Sequence, residues 1–151
     1  VGILTPKPQA KSPIYIDLQH FKFVNKAKDT LQILPEGKFV ILETWNEKCP
    51  PCMRAIPEMS VFYEQIKEKA HQYYIYIPNI SKSATLDTDK VFNFEKIKEK
   101  EKILIDQNLQ QDLKLDSYPV FVVFDKDGKQ VFQYVGYNKE EIIASLKAII
   151  K

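Results

Sequence analysis

The chain has 151 residues, of which 44% are hydrophobic and 28% charged, and its formal net charge at pH 7 is +2. This length and composition are typical of one folded domain and argue against a disordered chain. The near-neutral charge and the lack of a recognisable nucleic-acid-binding motif argue against nucleic acid as a partner. The longest unbroken apolar run, Val120 to Phe124, is far too short to span a membrane.

The N-terminal region predicts a lead-in followed by a hairpin. Residues 1–13 contain three prolines among Lys, Gln and Ser, a composition that suits an extended linker. Short apolar runs at 14–18 and 21–24 are consistent with an N-terminal β-hairpin, which a Pro-Glu-Gly turn at 35–37 closes. We therefore expect a lead-in over residues 1–13 and a single domain over residues 14–151.

From residue 38 the pattern alternates between strands and helices. The continuous apolar run at 39–42 predicts a strand that is buried on both faces. A helix follows at about 50–70, and residues 73–77, rich in β-branched and aromatic side chains, predict the next strand. The predicted apolar face of the helix consists of Ile56, Met59, Val61, Phe62 and Ile66.

The second half of the chain predicts a polar insertion at 79–89 and then a short helix through residue 102. The alternating charges at 95–102 indicate a solvated helix face. The remaining predicted elements are strands at 103–105, 119–125 and 130–136 and helices at 108–115 and 139–151, with a hairpin turn at 126–128. This order predicts an α/β fold, in which a mixed sheet with a parallel centre and a C-terminal antiparallel hairpin is flanked by helices.

The sequence Cys49-Pro50-Pro51-Cys52 lies where the first buried strand passes into a helix. Positions i and i+3 at a helix start lie on one face, so the two sulfurs can reach disulfide distance. The free N–H groups and the dipole of the helix start favour a thiolate at Cys49. Because the two prolines have no N–H, the N–H of Cys52 is the nearby donor to that thiolate.

Two other interpretations of the cysteines have less support. A structural zinc site needs further ligands, but the chain has no second cysteine pair, and its only histidines, His20 and His71, are not near the motif in sequence. His71 is predicted near a helix end, where it would act as a cap or a surface group. A chance pair of inert buried cysteines is the other alternative. We expect no metal site.

The stretch from Trp45 to Cys52 resembles the active-site strand-to-helix junction of thioredoxin-fold proteins. It is most similar to the bacterial extracytoplasmic reductases of the TlpA/ResA type. The resemblance covers about residues 14–151 and implies a thioredoxin fold with an N-terminal hairpin extension and an insertion after the central βαβ unit.

The resemblance also implies roles for residues outside the motif. It places an aromatic residue, Trp45, near the active site, a helix kink at Pro57 and a glycine, Gly136, after the last strand. It implies that Pro119 is cis and faces the disulfide, and that Tyr118 offers backbone hydrogen bonds to a bound substrate strand. The expected substrate-binding residues are Trp45, Pro50, Pro51, Tyr118 and Pro119.

Glu43 stands six residues before Cys49 in an otherwise apolar strand. The resemblance places a buried acid at this position, beneath the active site, where it could exchange a proton with Cys52. The alternative is that Glu43 lies at a solvated strand end. The TlpA/ResA group often has a glutamate three residues after the second cysteine, but here Ala55 occupies that place. Lys48 replaces a common aromatic residue, and it either stabilises the thiolate or is a solvated surface lysine.

The resemblance implies a thiol–disulfide oxidoreductase with Cys49, Cys52 and Glu43 as catalytic residues and no cofactor. We expect disulfide-containing protein substrates, a membrane or soluble thiol electron donor, and a monomer. We expect a location in the periplasm or cell envelope, soluble or tethered by a segment outside this sequence. A disulfide oxidase or isomerase with the same machinery is the alternative. A metal-binding copper carrier is a further one, although it would need wider cysteine spacing and a histidine later than His71.

Overall fold

The computed structural model describes residues 16–78 and 86–151. Its strands form a seven-stranded sheet in the order β2-β1-β5-β4-β3-β6-β7. The strands are β1 (Phe23–Val24), β2 (Thr30–Leu31), β3 (Phe39–Trp45), β4 (Ala70–Tyr76), β5 (Ile103–Asp106), β6 (Val120–Phe124) and β7 (Gln130–Val135). The helices are α1 (Pro50–Gln65), α2 (Thr88–Phe92), α3 (Leu109–Leu113) and α4 (Lys139–Ile149), with 3-10 turns at Leu18–His20 and Lys100–Lys102. None of the helices in the described ranges is long and apolar enough to cross a membrane.

Strand β3 is the central strand of the sheet. It pairs parallel with β4 on one edge and antiparallel with β6 on the other, and its residues from Val40 onward are buried. Ile41 and Trp45 pack into a core with α1 and α4, whereas Val40 and Leu42 face a second core on the opposite side of the sheet. The strand predicted at 39–42 is therefore confirmed as buried on both faces, and it continues to Trp45.

The predicted α/β architecture with a mixed sheet is confirmed. Strands β3 and β4 are parallel, β4 and β5 are parallel, and β6 and β7 form the expected antiparallel hairpin. The turn of that hairpin is closed by a hydrogen bond from the Gly128 N–H to the Asp125 carbonyl, and the φ of Gly128 is +83°, a value that favours glycine. Helices cover both faces of the sheet, as the alternating pattern predicts.

The predicted N-terminal hairpin is wrong in its pairing. The two strands that pair are β1 and β2, so the hairpin lies later in the chain than predicted. Leu18 starts a 3-10 turn instead of ending a strand, and both Leu18 and Phe21 are fully buried. Residues three apart in a 3-10 turn share one side, which explains how an apolar run reaches the core without a strand. Residues 14 and 15 and the lead-in at 1–13 lie outside the described residues.

Helix α1 is shorter than predicted, and one residue of its predicted apolar face is wrong. The helix ends at Gln65, and Ala70 starts β4 in register with Phe39. Val61 is 63% exposed, while Tyr63, which was not predicted to face the core, is buried. The hydroxyl of Tyr63 has a buried acceptor, so a residue with a polar tip replaces an aliphatic one on the inner face.

The region after β4 departs from the predicted single helix. Residues 79–85 of the predicted insertion lie outside the described residues, and α2 spans only Thr88–Phe92. The charged run at 95–102 is solvated but not a continuous helix. The ammonium group of Lys100 donates hydrogen bonds to the carbonyl oxygens of Phe94 and Ile97, which satisfies backbone groups that no helix covers.

The orientation of α1 can be tested with two neighbouring residues. We expect Phe62→Ala to lower the free energy of unfolding by about 3–5 kcal/mol, because it empties a buried aromatic site. We expect Val61→Ala to change it by less than about 0.5 kcal/mol, because that side chain is exposed. Urea unfolding of both variants measures the difference, and equal losses would contradict the described helix orientation.

Candidate active site

The two cysteines lie at the start of α1. Cys49 is the N-cap residue, Pro50 and Pro51 open the helix, and the Cα atoms of Cys49 and Cys52 are 5.3 Å apart. The sulfurs form a disulfide. The backbone N–H of Cys52 donates to the Cys49 sulfur at 3.2 Å, which is the donor expected because the two intervening prolines have none. The helix start therefore supplies one N–H and its dipole to any charge on the Cys49 sulfur.

The two cysteines differ in exposure. Cys49 is 6% exposed and Cys52 is fully buried. The Cys52 sulfur lies 4.0 Å from the carbonyl oxygen of Thr44 in β3, so it faces the sheet and not solvent. Of the two cysteines, Cys49 is therefore the one that a molecule approaching from outside can meet.

The peptide bond between Tyr118 and Pro119 is cis, as the resemblance implies. The N–H of Val120 donates to the Thr44 hydroxyl at 2.7 Å, and the Pro119 carbonyl accepts from the Gly136 N–H at 2.8 Å. Thr44 also lies near the second cysteine, because its carbonyl oxygen is 4.0 Å from the Cys52 sulfur. Thr44 follows the predicted strand at 39–42, and nothing in the sequence pattern indicated that it would make both contacts.

Glu43 is fully buried in the middle of β3, so the alternative of a solvated strand end is wrong. The Tyr63 hydroxyl donates to Glu43 Oε1 at 2.6 Å, and Oε2 has no partner among the described residues. Burial raises the pKa of Glu43 from 4.5 to about 8, and the hydrogen bond from Tyr63 partly offsets that rise. The carboxyl is therefore mostly protonated at neutral pH and can still ionise within the physiological range.

Trp45 lies beneath the surface and not in it. The side chain is 1% exposed, stacks on Phe94 with ring centroids 4.6 Å apart, and meets the edge of Tyr76. In this structure the indole is a packing residue between β3 and the segment after α2. Direct contact of Trp45 with a substrate, which the sequence predicts, would require these rings to separate.

Asn46 fixes the loop between β3 and α1, a role that the sequence analysis missed. Its side-chain amide donates to the carbonyl oxygen of Ile77, and its oxygen accepts from the backbone N–H of Lys48. An Asn between a strand and a helix is a common signal for such a side-chain turn. The side chain of Lys48 itself is exposed, and both interpretations of it stay open.

Ala55 has no titratable group, and each of the two histidines lies beside a carboxylate. Ala55 is buried in the core. His71 lies in β4 and not near a helix end as predicted, 3.7 Å from Glu36, and His20 lies 2.6 Å from Asp112. Strands β3 and β4 are parallel, and His71 is in register with Val40 near the amino end of β3. The cysteines follow the carboxyl end of β3, so His71 lies at the opposite end of the strands. Within the described residues, no three His, Cys, Asp or Glu side chains come together as a metal site.

Burial of Glu43 makes a prediction about stability against pH. The carboxyl has a higher pKa folded than unfolded, so between the two values the folded state binds the extra proton and stability falls as pH rises. We expect this group to lower the free energy of unfolding by up to about 1.4 kcal/mol per pH unit between pH 5 and pH 8. Denaturation of wild type and Glu43→Gln across that range isolates the contribution, and parallel pH curves would contradict it.

Comparisons with protein families, with curated proteins and with solved structures agree. The model of the thioredoxin-like domain family matches residues 27–149. The thiol-disulfide oxidoreductases ResA of Bacillus thuringiensis (strain Al Hakam) and Bacillus anthracis are each 31% identical over 122 residues, which cover 76% of this chain. The match spans 65% of the length of these curated relatives.

Two solved structures are similar in fold. The pneumococcal exposed lipoprotein thioredoxin Etrx1 from Streptococcus pneumoniae strain TIGR4 has a TM-score of 0.66 at 22% identity, covering 85% of this chain and 98% of its own. StoA from Bacillus subtilis has a TM-score of 0.57 at 18% identity, covering 88% of this chain and 96% of its own. At these identities the likeness concerns the fold alone.

Proposed function

This chain belongs to the thioredoxin-like domain family, and on that premise we propose that it is a thiol–disulfide oxidoreductase that reduces disulfides in partner proteins. One observation carries the proposal: Cys49 and Cys52 form a disulfide across the first turn of a helix, and of the two only Cys49 keeps any exposed surface. A cysteine pair in this position can exchange with a partner disulfide through a mixed disulfide.

The reaction follows from the two environments. The thiolate of Cys49 attacks one sulfur of a partner disulfide, so that a mixed disulfide forms and the other partner sulfur leaves as a thiolate that takes up a proton. Cys52 then loses its proton and attacks the Cys49 sulfur. The partner leaves with both its sulfurs reduced, and the enzyme keeps the disulfide. Two electrons have passed to the partner, so a thiol donor must reduce the enzyme for the next turnover.

Glu43 is the group that we assign to the proton of Cys52. It adjoins Thr44, whose carbonyl contacts the Cys52 sulfur, and its side chain lies on the face of β3 that α1 covers. In its ionised form the carboxylate accepts the proton that Cys52 must lose, and in its protonated form it returns a proton in the reverse reaction. A carboxyl with a pKa of about 8 supplies both forms near neutral pH.

The substrate surface is proposed to surround Cys49. Pro50 is exposed, and Pro51 and Tyr118 are half-buried, so these three can offer surface to a partner that reaches Cys49. Pro119, in the cis segment, is buried. An extended stretch of partner chain would pair with the backbone at Tyr118, as in other cases of strand addition. Trp45 supports this surface from below.

We propose that the protein works in the direction of disulfide reduction, that it is located in the cell envelope, and that it acts as a monomer. The curated relatives carry the name thiol-disulfide oxidoreductase, and one similar fold is described as an exposed lipoprotein, which supports a site outside the cytoplasm. An oxidase or isomerase would use the same residues and differ in reduction potential. We also propose that its substrates are proteins with disulfides and that a membrane-bound or soluble thiol donor supplies its electrons.

The roles of the two cysteines can be separated by trapping. We expect reduced Cys52→Ser to form a stable covalent adduct with insulin, a protein with accessible disulfides, because the mixed disulfide at Cys49 can no longer be resolved. Intact-mass spectrometry before and after dithiothreitol detects the adduct and its loss. Cys49→Ser is the matched control and should form none, since Cys52 is buried. Full disulfide-reducing activity in Cys49→Ala would overturn the assignment.

A further inference from the structure

Glu43 is the only acidic or basic side chain among the described residues that is fully buried, and tyrosines surround it. In the sheet register it stands opposite Tyr74 on β4 and Phe121 on β6. From above, α1 supplies Tyr63, whose hydroxyl is 2.6 Å from Oε1. This setting leaves the carboxyl with one neutral hydrogen-bond donor and no cation.

The two carboxyl oxygens are therefore not equivalent. Oε1 accepts the hydrogen bond from Tyr63, whereas Oε2 is buried without a partner among the described residues. An oxygen that accepts a hydrogen bond is the poorer site for the acid proton, so the proton of the neutral carboxyl belongs on Oε2. Oε2 is then the atom that gives or takes a proton.

We propose that Tyr63 is the positioning residue of this site: its hydrogen bond to Oε1 orients the Glu43 carboxyl, directs the transferable proton to Oε2 and stabilises the ionised form. The inference rests on the proposed function, since it assumes that Glu43 exchanges a proton with Cys52. It adds a residue eleven positions after Cys52 that acts through Glu43.

The other groups around Glu43 do not provide the same stabilisation. Tyr74 donates no hydrogen bond to Glu43 in the structure. Burial raises the pKa of Tyr74, and the nearby charge of Glu43 raises it further. Tyr137, from the segment after β7, donates a hydrogen bond to Glu58 of α1. The charge of Arg54 partly offsets the rise in the pKa of Tyr137. On the β6 side the neighbour is Phe121, which does not titrate. Tyr63 is thus the described group whose effect on the pKa of Glu43 opposes desolvation.

The test is a direct titration of Glu43 by NMR in protein with ¹³C-labelled glutamate carboxyls. In Tyr63→Phe the midpoint of Glu43 should rise by about one pH unit, because a hydrogen bond to the ionised form is lost. Tyr74→Phe is the matched control: it removes a buried hydroxyl beside the same carboxyl and should leave the midpoint in place. An unchanged midpoint in Tyr63→Phe, or an equal shift in both variants, would overturn the proposal.

A second measurement uses the wild-type fold, so the test does not depend on a variant that must fold. The ¹³Cζ resonance of Tyr63 should change with pH at the same midpoint as Glu43, because its acceptor gains a charge there. A Tyr63 resonance that is flat through the titration of Glu43 contradicts the hydrogen bond.

The catalytic consequence is measured in a single turnover with the reduced enzyme. At pH 7, Tyr63→Phe should slow release of the reduced partner about tenfold, since a midpoint one unit higher lowers the ionised fraction of Glu43 by that factor. Alkylation of Cys49 by iodoacetamide should be unchanged. Loss of adduct formation in Cys52→Ser would overturn the proposed function as a whole. Adduct formation in Cys52→Ser together with an unchanged release rate in Tyr63→Phe would overturn only the role of Tyr63.

Discussion

The fixed position of β3 is the constraint on which the rest of the site depends. This strand is paired on both edges and packed on both faces, so its register cannot slip. A slip of one residue would turn every side chain to the opposite face. Glu43 would then point away from α1, and Leu42 or Thr44 would pack against the helix instead. Because register and burial agree, one strand determines where the acid, the tryptophan and the start of the helix lie.

The end of β3 converts that constraint into chemistry. The strand stops at Trp45 and α1 begins at Pro50, so the cysteines stand at the carboxyl end of the central strand, and of the two only Cys49 keeps any exposed surface. The Thr44 carbonyl oxygen lies 4.0 Å from the Cys52 sulfur, and the Thr44 hydroxyl accepts the N–H of Val120 in the cis-proline segment. The end of the central strand is thus in contact with two segments that are distant from each other in sequence.

Much of this arrangement could be predicted from the sequence, where local pattern and fold agree. The apolar run at 39–42, the cysteine motif at a helix start and Gly128 in the last turn each carry their own signal. The errors came from relying on apolar character more than on spacing. Val61 is apolar but stands five residues after Ile56, off the buried face of α1, whereas Tyr63 stands seven residues after Ile56, on that face, with its hydroxyl bonded to Glu43. Likewise the first apolar run buries Leu18 from a 3-10 turn, which alternation alone does not distinguish from a strand.

The central claim is that the Cys49/Cys52 pair is a reversible redox couple used for reduction. It is tested most directly by the reduction potential of the pair, measured by equilibration with glutathione or dithiothreitol buffers and quantified by thiol alkylation. The account predicts a two-electron couple with a low potential, near the value of about −270 mV that thioredoxin has. A high potential, near the value of about −120 mV typical of the oxidant DsbA, would reverse the direction. The absence of any reversible couple would contradict the account.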